Sequence, residues 1–157
     1  MTEEVLISVG ASQGRRVLAV GSLGTLGSFV AWIALAGQAP AGITLLLLVT
    51  AAAAMWAAWV LWRVTEHRLE LTRSGLYSTD GTTLATVDAV AKVDRGTFAF
   101  KPSGGFLVHL NRPAPRAWAP GLWWRAGRTL GVGGVLPGGQ ARAMAELLQA
   151  LRDDALP

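Results

Sequence analysis

Residues 17–36 read VLAVGSLGTLGSFVAWIALA, and residues 43–62 read ITLLLLVTAAAAMWAAWVLW. Each run is 20 residues long, and the 46 residues from Val17 to Trp62 carry no charge. A helix rises about 1.5 Å per residue, so each run spans roughly 30 Å, the hydrocarbon thickness of a bilayer. The pattern predicts a hairpin of two transmembrane helices. Gly37-Gln38-Ala39-Pro40-Ala41-Gly42 connects them, with Pro40 and the glycines preventing one continuous helix. Neither run holds an ionisable residue, which argues against an ion path, a proton relay or a voltage sensor.

The flanks orient the hairpin. Arg15 and Arg16 precede the first run, Arg63 and Arg68 follow the second, and the connector is uncharged. The positive-inside rule therefore places both termini on the cytoplasmic side of a multi-pass inner-membrane protein. Trp59 and Trp62 fall at the expected headgroup level on that side, with Trp56 about two turns deeper. In the first run, Gly21/Thr25 and Gly24/Ser28 make small-xxx-small pairs, which let another helix approach closely. The second run of the same chain is the expected partner, ahead of a homodimer. Arg15-Arg16, the apolar run and Ala34-Leu35-Ala36 also imitate a signal peptide. The run is longer than a usual signal core and a second span follows at once, so the anchor reading is preferred.

The remainder of the 157-residue chain, residues 63–157, has room for one small domain with a modest core. There is no cysteine, which excludes disulfides, thiolate metal sites and thiol catalysis. Residues 1–16, expected as a cytoplasmic N-terminal segment, are charge-balanced, so the net +4 belongs to residues 63–157. From Arg95 to Arg142 there are seven basic residues and no acid. Such a stretch suits an anionic neighbour (lipid headgroups, an acidic protein surface or nucleic acid) or is simply a solvated basic face.

After Arg63 the hydropathy alternates. Residues 68–72 and 76–78 read as strands around the turn signal Ser74-Gly75, and Asp80-Gly81 marks a hairpin into residues 83–87. Residues 90–100 alternate in part, with Gly96 a candidate bulge; Ser103-Gly104-Gly105 turns into residues 106–110, and residues 129–132 are a last strand candidate. Ala141, Met144, Leu147, Leu148, Leu151 and Ala155 predict an amphipathic helix over about 140–154, held from starting earlier by Pro137-Gly138-Gly139. The expected class is an α+β membrane protein: a two-helix hairpin, then a small curved antiparallel sheet or open barrel closed by a C-terminal helix.

Glu66 to Leu76, then Asp80-Gly81, then Val87-Asp88-Ala89-Val90, resembles the bacterial PH-like domains that follow membrane hairpins in small proteobacterial membrane proteins. The resemblance covers about residues 64–110, and through the final helix 64–155. It implies a seven-stranded, strongly bent sheet capped by a C-terminal helix, with no enzymatic activity. The chain departs from that pattern at 112–134, which is longer and richer in tryptophan.

That departure holds the main candidate site. Residues 112–128 contain three tryptophans, three prolines, four arginines and no acid. Indoles favour the headgroup level and guanidinium groups match phosphate, so Arg116, Trp118, Trp123, Trp124, Arg125 and Arg128 are read as a loop contacting membrane or a membrane partner. The opposing reading has the tryptophans in the domain core. Other chemistry is thin. His67 and His109 lack companions at metal-ligand spacing, so no metal or other cofactor is expected. Asp80 suits a turn, and Asp88 and Asp94 suit solvated pairing with Lys92 and Arg95. Ser74, Ser78 and Ser103 have no nearby His/Asp set, and Gly131-Val132-Gly133-Gly134 lacks the spacing of a phosphate loop. The expectation is a non-enzymatic, membrane-anchored binding or scaffolding module that aids assembly or stability of a membrane complex. Its partners would be anionic headgroups and a membrane protein or second copy, with no nucleic acid. An enzyme on a membrane-proximal or lipid substrate, or nucleic-acid binding through the basic stretch, are the alternatives.

Overall fold

The computed structural model describes residues 4–95 and 104–155. The expected strand beyond Arg95, the Gly96 bulge, Lys101 and Ser103 lie outside those residues. The chain divides into a helical unit, residues 13–63, and a β unit made of residues 1–12 together with 64–157.

In the helical unit, α1 is Gln13–Ala36 and α2 is Ala41–Val64, each 24 residues. Both are long and apolar enough to cross a membrane, and only 11 % of each apolar window is buried within the chain. The helices exceed the charge-free runs because Arg15, Arg16 and Arg63 continue their end turns, which shortens the connector to residues 37–40. The small-residue expectation needs correction. An added Cβ at Gly21 or Gly24 meets nothing within 4 Å, whereas one at Gly27 meets the Met55 side chain at 3.1 Å and the Ala51 carbonyl at 3.3 Å. The close approach to α2 therefore uses Gly27, with Ala34, Ala51 and Ala58 buried, because these residues share the facing side of a 3.6-residue helix.

The β unit has seven strands among the described residues: β1 Val5–Gly10, β2 Arg68–Thr72, β3 Gly75–Ser78, β4 Thr83–Thr86, β5 Val90–Asp94, β6 Phe106–Ala119 and β7 Trp123–Val132. They form a four-stranded sheet, β1-β2-β3-β4, and a three-stranded sheet, β5-β6-β7. Every pairing is antiparallel. A 3-10 turn at Val87–Ala89 passes the chain from one sheet to the other, and helix α3, Gly138–Ala155, packs against that turn and against β1, β5 and β6.

The first correction of substance concerns residues 1–16. They are not a separate segment, because Val5–Gly10 belongs to the β unit and pairs antiparallel with β2, with Ile7 opposite Leu71 and Val9 opposite Leu69. The helical unit is thus inserted between two neighbouring strands of one sheet. The run Val5-Leu6-Ile7-Ser8-Val9 is rich in β-branched residues, a strand signal masked by the stronger apolar runs behind it.

The second correction concerns residues 112–128. They form the outer part of a long ribbon, β6–β7, whose turn lies at Pro120-Gly121-Leu122. Pro113, Pro115 and Gly127 do not end the strands, because the register shifts between His109 and Ala117 absorb them as irregularities. Gly127, at φ +59°, supplies a left-handed backbone within β7. The ribbon curls until its turn meets its own exit: Gly133 N–H donates to the Leu122 carbonyl at 2.8 Å and Val135 N–H to the Gly121 carbonyl at 3.0 Å.

Between the sheets and α3 lies one core, where Leu69, Leu71, Leu76, Leu84, Phe106, Val108, Leu130, Met144 and Leu148 are all 1 % exposed or less. On α3 the buried line is Ala141, Met144, Ala145 and Leu148; Leu147, expected in it, is 39 % exposed. The Asp80-Gly81 turn forms as expected. Gly81 adopts φ +87°, its N–H reaches the Ser78 carbonyl at 2.9 Å, and the Asp80 carboxylate accepts from Thr82 N–H at 2.9 Å.

Candidate functional site

The ribbon divides the six residues singled out there into an exposed set and a structural set. Trp118 is 73 % exposed, the most exposed aromatic among the described residues of the β unit, and Arg112, Arg116 and Arg128 are exposed as well. Trp123 is 4 % exposed and belongs to the core, since it lies opposite Ala119 on the inward side of the ribbon. Trp124, half-buried, pairs across the ribbon with Trp118, and its ring lies where a Cβ on Gly131 would stand.

Arg125 is half-buried and anchors the fold. Its Nε donates to the Pro115 carbonyl, and its Nη1 donates to the Thr83 and Leu84 carbonyls, each at 2.9 Å. One guanidinium thus holds the ribbon's bend to β4, the edge of the other sheet. Hydrogen bonds from a charged donor contribute about 1.5–3 kcal/mol, so Arg125→Ala is expected to cost about 1–3 kcal/mol of stability. Arg116→Ala and Arg128→Ala should stay within about 0.5 kcal/mol of the parent. Thermal melting of the three variants in detergent distinguishes an anchoring arginine from solvated ones.

Within the helical unit, the residues expected at the headgroup boundary come together. Arg16 Nη2 donates to the Trp62 carbonyl at 2.7 Å while its guanidinium lies 3.9 Å from the Trp62 ring centroid. The Arg63 guanidinium lies 5.0 Å from the Trp59 ring centroid. Trp59 and Trp62 stay 55 % and 42 % exposed, so each indole remains partly uncovered while bearing a cation over its ring. Arg15 stands one residue before Arg16 in the first turn of α1.

The remaining candidates occupy structural positions. Ser74 Oγ shares hydrogen bonds with Thr72 Oγ1 at 3.0 Å and Tyr77 Oη at 2.8 Å, a hydroxyl cluster at the β2–β3 turn. Burial acts to raise the Asp80 carboxyl, but Thr82, whose backbone N–H donates to it, with His67 nearby, outweighs burial and holds its pKa below the ordinary value. That is the signature of a carboxylate fixed in a turn. The Asp88 carbonyl accepts from Asn111 Nδ2 at 3.0 Å, tying the 3-10 turn to β6. His109, half-buried, sits in register with Lys92 on one side and Thr129 on the other. Among the described residues no group of three His, Asp or Glu side chains converges as a metal site would require.

One hollow of about 300 Å³ opens at the start of α3, lined by Gly104, Gly105, Gly138, Gly139, Arg95 and Arg142. Arg95 is engaged there, with Nη1 2.8 Å from Glu146 Oε1. The glycine-rich segment at 131–134 closes the ribbon: Gly131 lies under Trp124, and Gly133 and Gly134 lie at the ribbon turn.

No protein-family model, curated protein or solved structure matches this chain. Its class is therefore defined by its own build. It is an α+β protein in which two long apolar helices precede two antiparallel sheets and a C-terminal helix, with one strand of the first sheet preceding the helices.

Proposed function

We propose that this chain is a non-enzymatic, membrane-anchored binding and scaffolding module, a PH-like β unit held at the cytoplasmic face of the inner membrane by a two-helix hairpin. The observation that carries the reading is the outer part of the β6–β7 ribbon, where exposed Trp118 stands with exposed Arg112, Arg116 and Arg128 in a stretch without any acid. An indole suits the boundary between headgroup and hydrocarbon, and guanidinium groups suit phosphate. Four strands, then three, then a closing helix support the PH-like reading. Pairing of β1 with β2 supports termini on one side, because the strands that flank the hairpin share a sheet. Arg15, Arg16 and Arg63 support the cytoplasmic side. In this reading the ribbon rests on anionic headgroups and, from there, aids assembly or stability of a membrane complex.

The chain has no cysteine, so a single Ala126→Cys, exposed on the ribbon, can carry a polarity-sensitive fluorophore on the full protein in reconstituted vesicles. Emission should shift to the blue in vesicles containing phosphatidylglycerol but not in phosphatidylcholine alone, and added salt should reverse the shift. A basic residue near an anionic surface contributes about 1 kcal/mol, so reversing Arg112, Arg116 and Arg128 to Glu should weaken the contact by more than about a hundredfold. Identical spectra in both lipids, and no change on charge reversal, would remove lipid as the ribbon's partner.

A further inference from the structure

We infer that the β unit is a built-in check on the hairpin, because its first sheet can be completed only when both helices have crossed the membrane. The inference rests on the proposal that the hairpin spans the bilayer. β1 ends at Gly10 and β2 starts at Arg68, with 57 residues between them, yet the two strands are direct neighbours. Only residues 11–12 join β1 to α1, and only residues 65–67 join α2 to β2. These connections have no slack to pass a strand around a helix end. If only the first helix crosses, β1 is left on one side and β2 on the other, about 30 Å of hydrocarbon apart.

The loss of β1 would be felt by the whole unit. Val9 is fully buried opposite Leu69, itself fully buried. Ser12 N–H donates to the Val135 carbonyl at 2.9 Å, and α3 packs on β1. Without β1, strand β2 becomes an open edge with unpaired N–H and C=O groups, and part of the α3 face loses its cover. An unfinished edge of this kind is open to wrong pairing and to proteolysis. Chains with one helix misplaced are thereby marked by an incomplete domain, while correctly inserted chains protect themselves.

The test uses full-length chains in membrane vesicles, each with one introduced cysteine, Gln38→Cys in the connector or Asp154→Cys in α3, labelled by a membrane-impermeant maleimide. In the parent the two positions should label from opposite sides. Labelling from the same side would overturn the spanning hairpin, and this inference with it. Adding Leu48→Arg and Ala53→Arg should prevent α2 from crossing, move the Asp154→Cys label to the other side and speed protease cleavage of the β unit at least about tenfold. A second copy of residues 1–12 placed between Val64 and Thr65 in that same non-crossing chain leaves five residues between the copied β1 and β2, a hairpin-length loop, and should restore resistance. Val9→Asp in a correctly inserted chain should sensitise the β unit without moving the label. A non-crossing chain as resistant as the parent, or a repeat that fails to restore resistance, would overturn the inference while leaving the spanning hairpin intact.

Discussion

Trp123→Ala is expected to lower the melting temperature of the β unit by more than about 10 °C, whereas Trp118→Ala, five residues earlier on the same ribbon, should leave it nearly unchanged. Trp123 is 4 % exposed and Trp118 73 %. Truncating a buried tryptophan removes its transfer free energy and leaves a cavity in a close-packed interior, a loss of about 3–5 kcal/mol. In a domain of this size about 1 kcal/mol shifts the midpoint by roughly 4–8 °C. A third variant separates volume from polarity. The Trp123 indole N–H is buried with no acceptor among the described residues, so Trp123→Phe keeps most of the ring while removing that donor, and should cost far less than the alanine variant. Near-ultraviolet circular dichroism of the full chain in detergent reads all three. Similar losses for Trp118→Ala and Trp123→Ala would show that the ribbon is seated differently.

Gly75→Val should be the most damaging single change in the first sheet, at about 3 kcal/mol or more. Gly75 opens β3 opposite Thr86, and a Cβ there would stand 2.5 Å from the Ala85 carbonyl oxygen and 2.9 Å from Thr86 Cα. Those are backbone atoms of the partner strand and cannot swing aside as the end of a side chain can. The β3–β4 pairing would have to open, and with it the approach of β4 to Arg125. Gly81→Ala is the useful comparison: its Cβ meets nothing within 4 Å, but its φ of +87° makes the cost conformational instead of steric. If melting of the two variants is equally mild, the close strand approach at Gly75 is not rigid.

Gly75 also illustrates how far the sequence can be read. Ser74-Gly75 is legible as a turn signal, and a turn is there, but the need for glycine comes from a strand 11 positions later in the chain. The Asp80-Gly81 hairpin was fully legible because its geometry is local: one positive φ and one carboxylate accepting from Thr82 N–H. The α3 helix was legible in the same way, apart from Leu147, which the packing leaves partly exposed.

The ribbon is legible in the sequence as an unusual segment, but its composition reads as a loop. Prolines and glycines there signal interruption, and only pairing between β6 and β7 shows that the interruptions are bulges within strands. Its composition identified the segment, but not which of Arg116, Trp118, Trp123, Trp124, Arg125 and Arg128 face outward. A slip of one residue reverses every side chain, and the register shifts between His109 and Ala117 occur within this span.

What the sequence alone determined is whatever depends on neighbours along the chain: two charge-free apolar runs, the basic flanks, the alternation of short strands, the tight turn and the terminal helix. Hydropathy and periodicity are local sums, and a single chain carries them in full. Only the tertiary structure decided that residues 5–10 belong to the sheet whose other strands follow the helices in the chain, that Arg125 holds two sheets together, and that Trp123 is buried while Trp118 is not. Each of these depends on a partner tens of residues away or on a strand register, and such pairings exist only once the chain has closed upon itself.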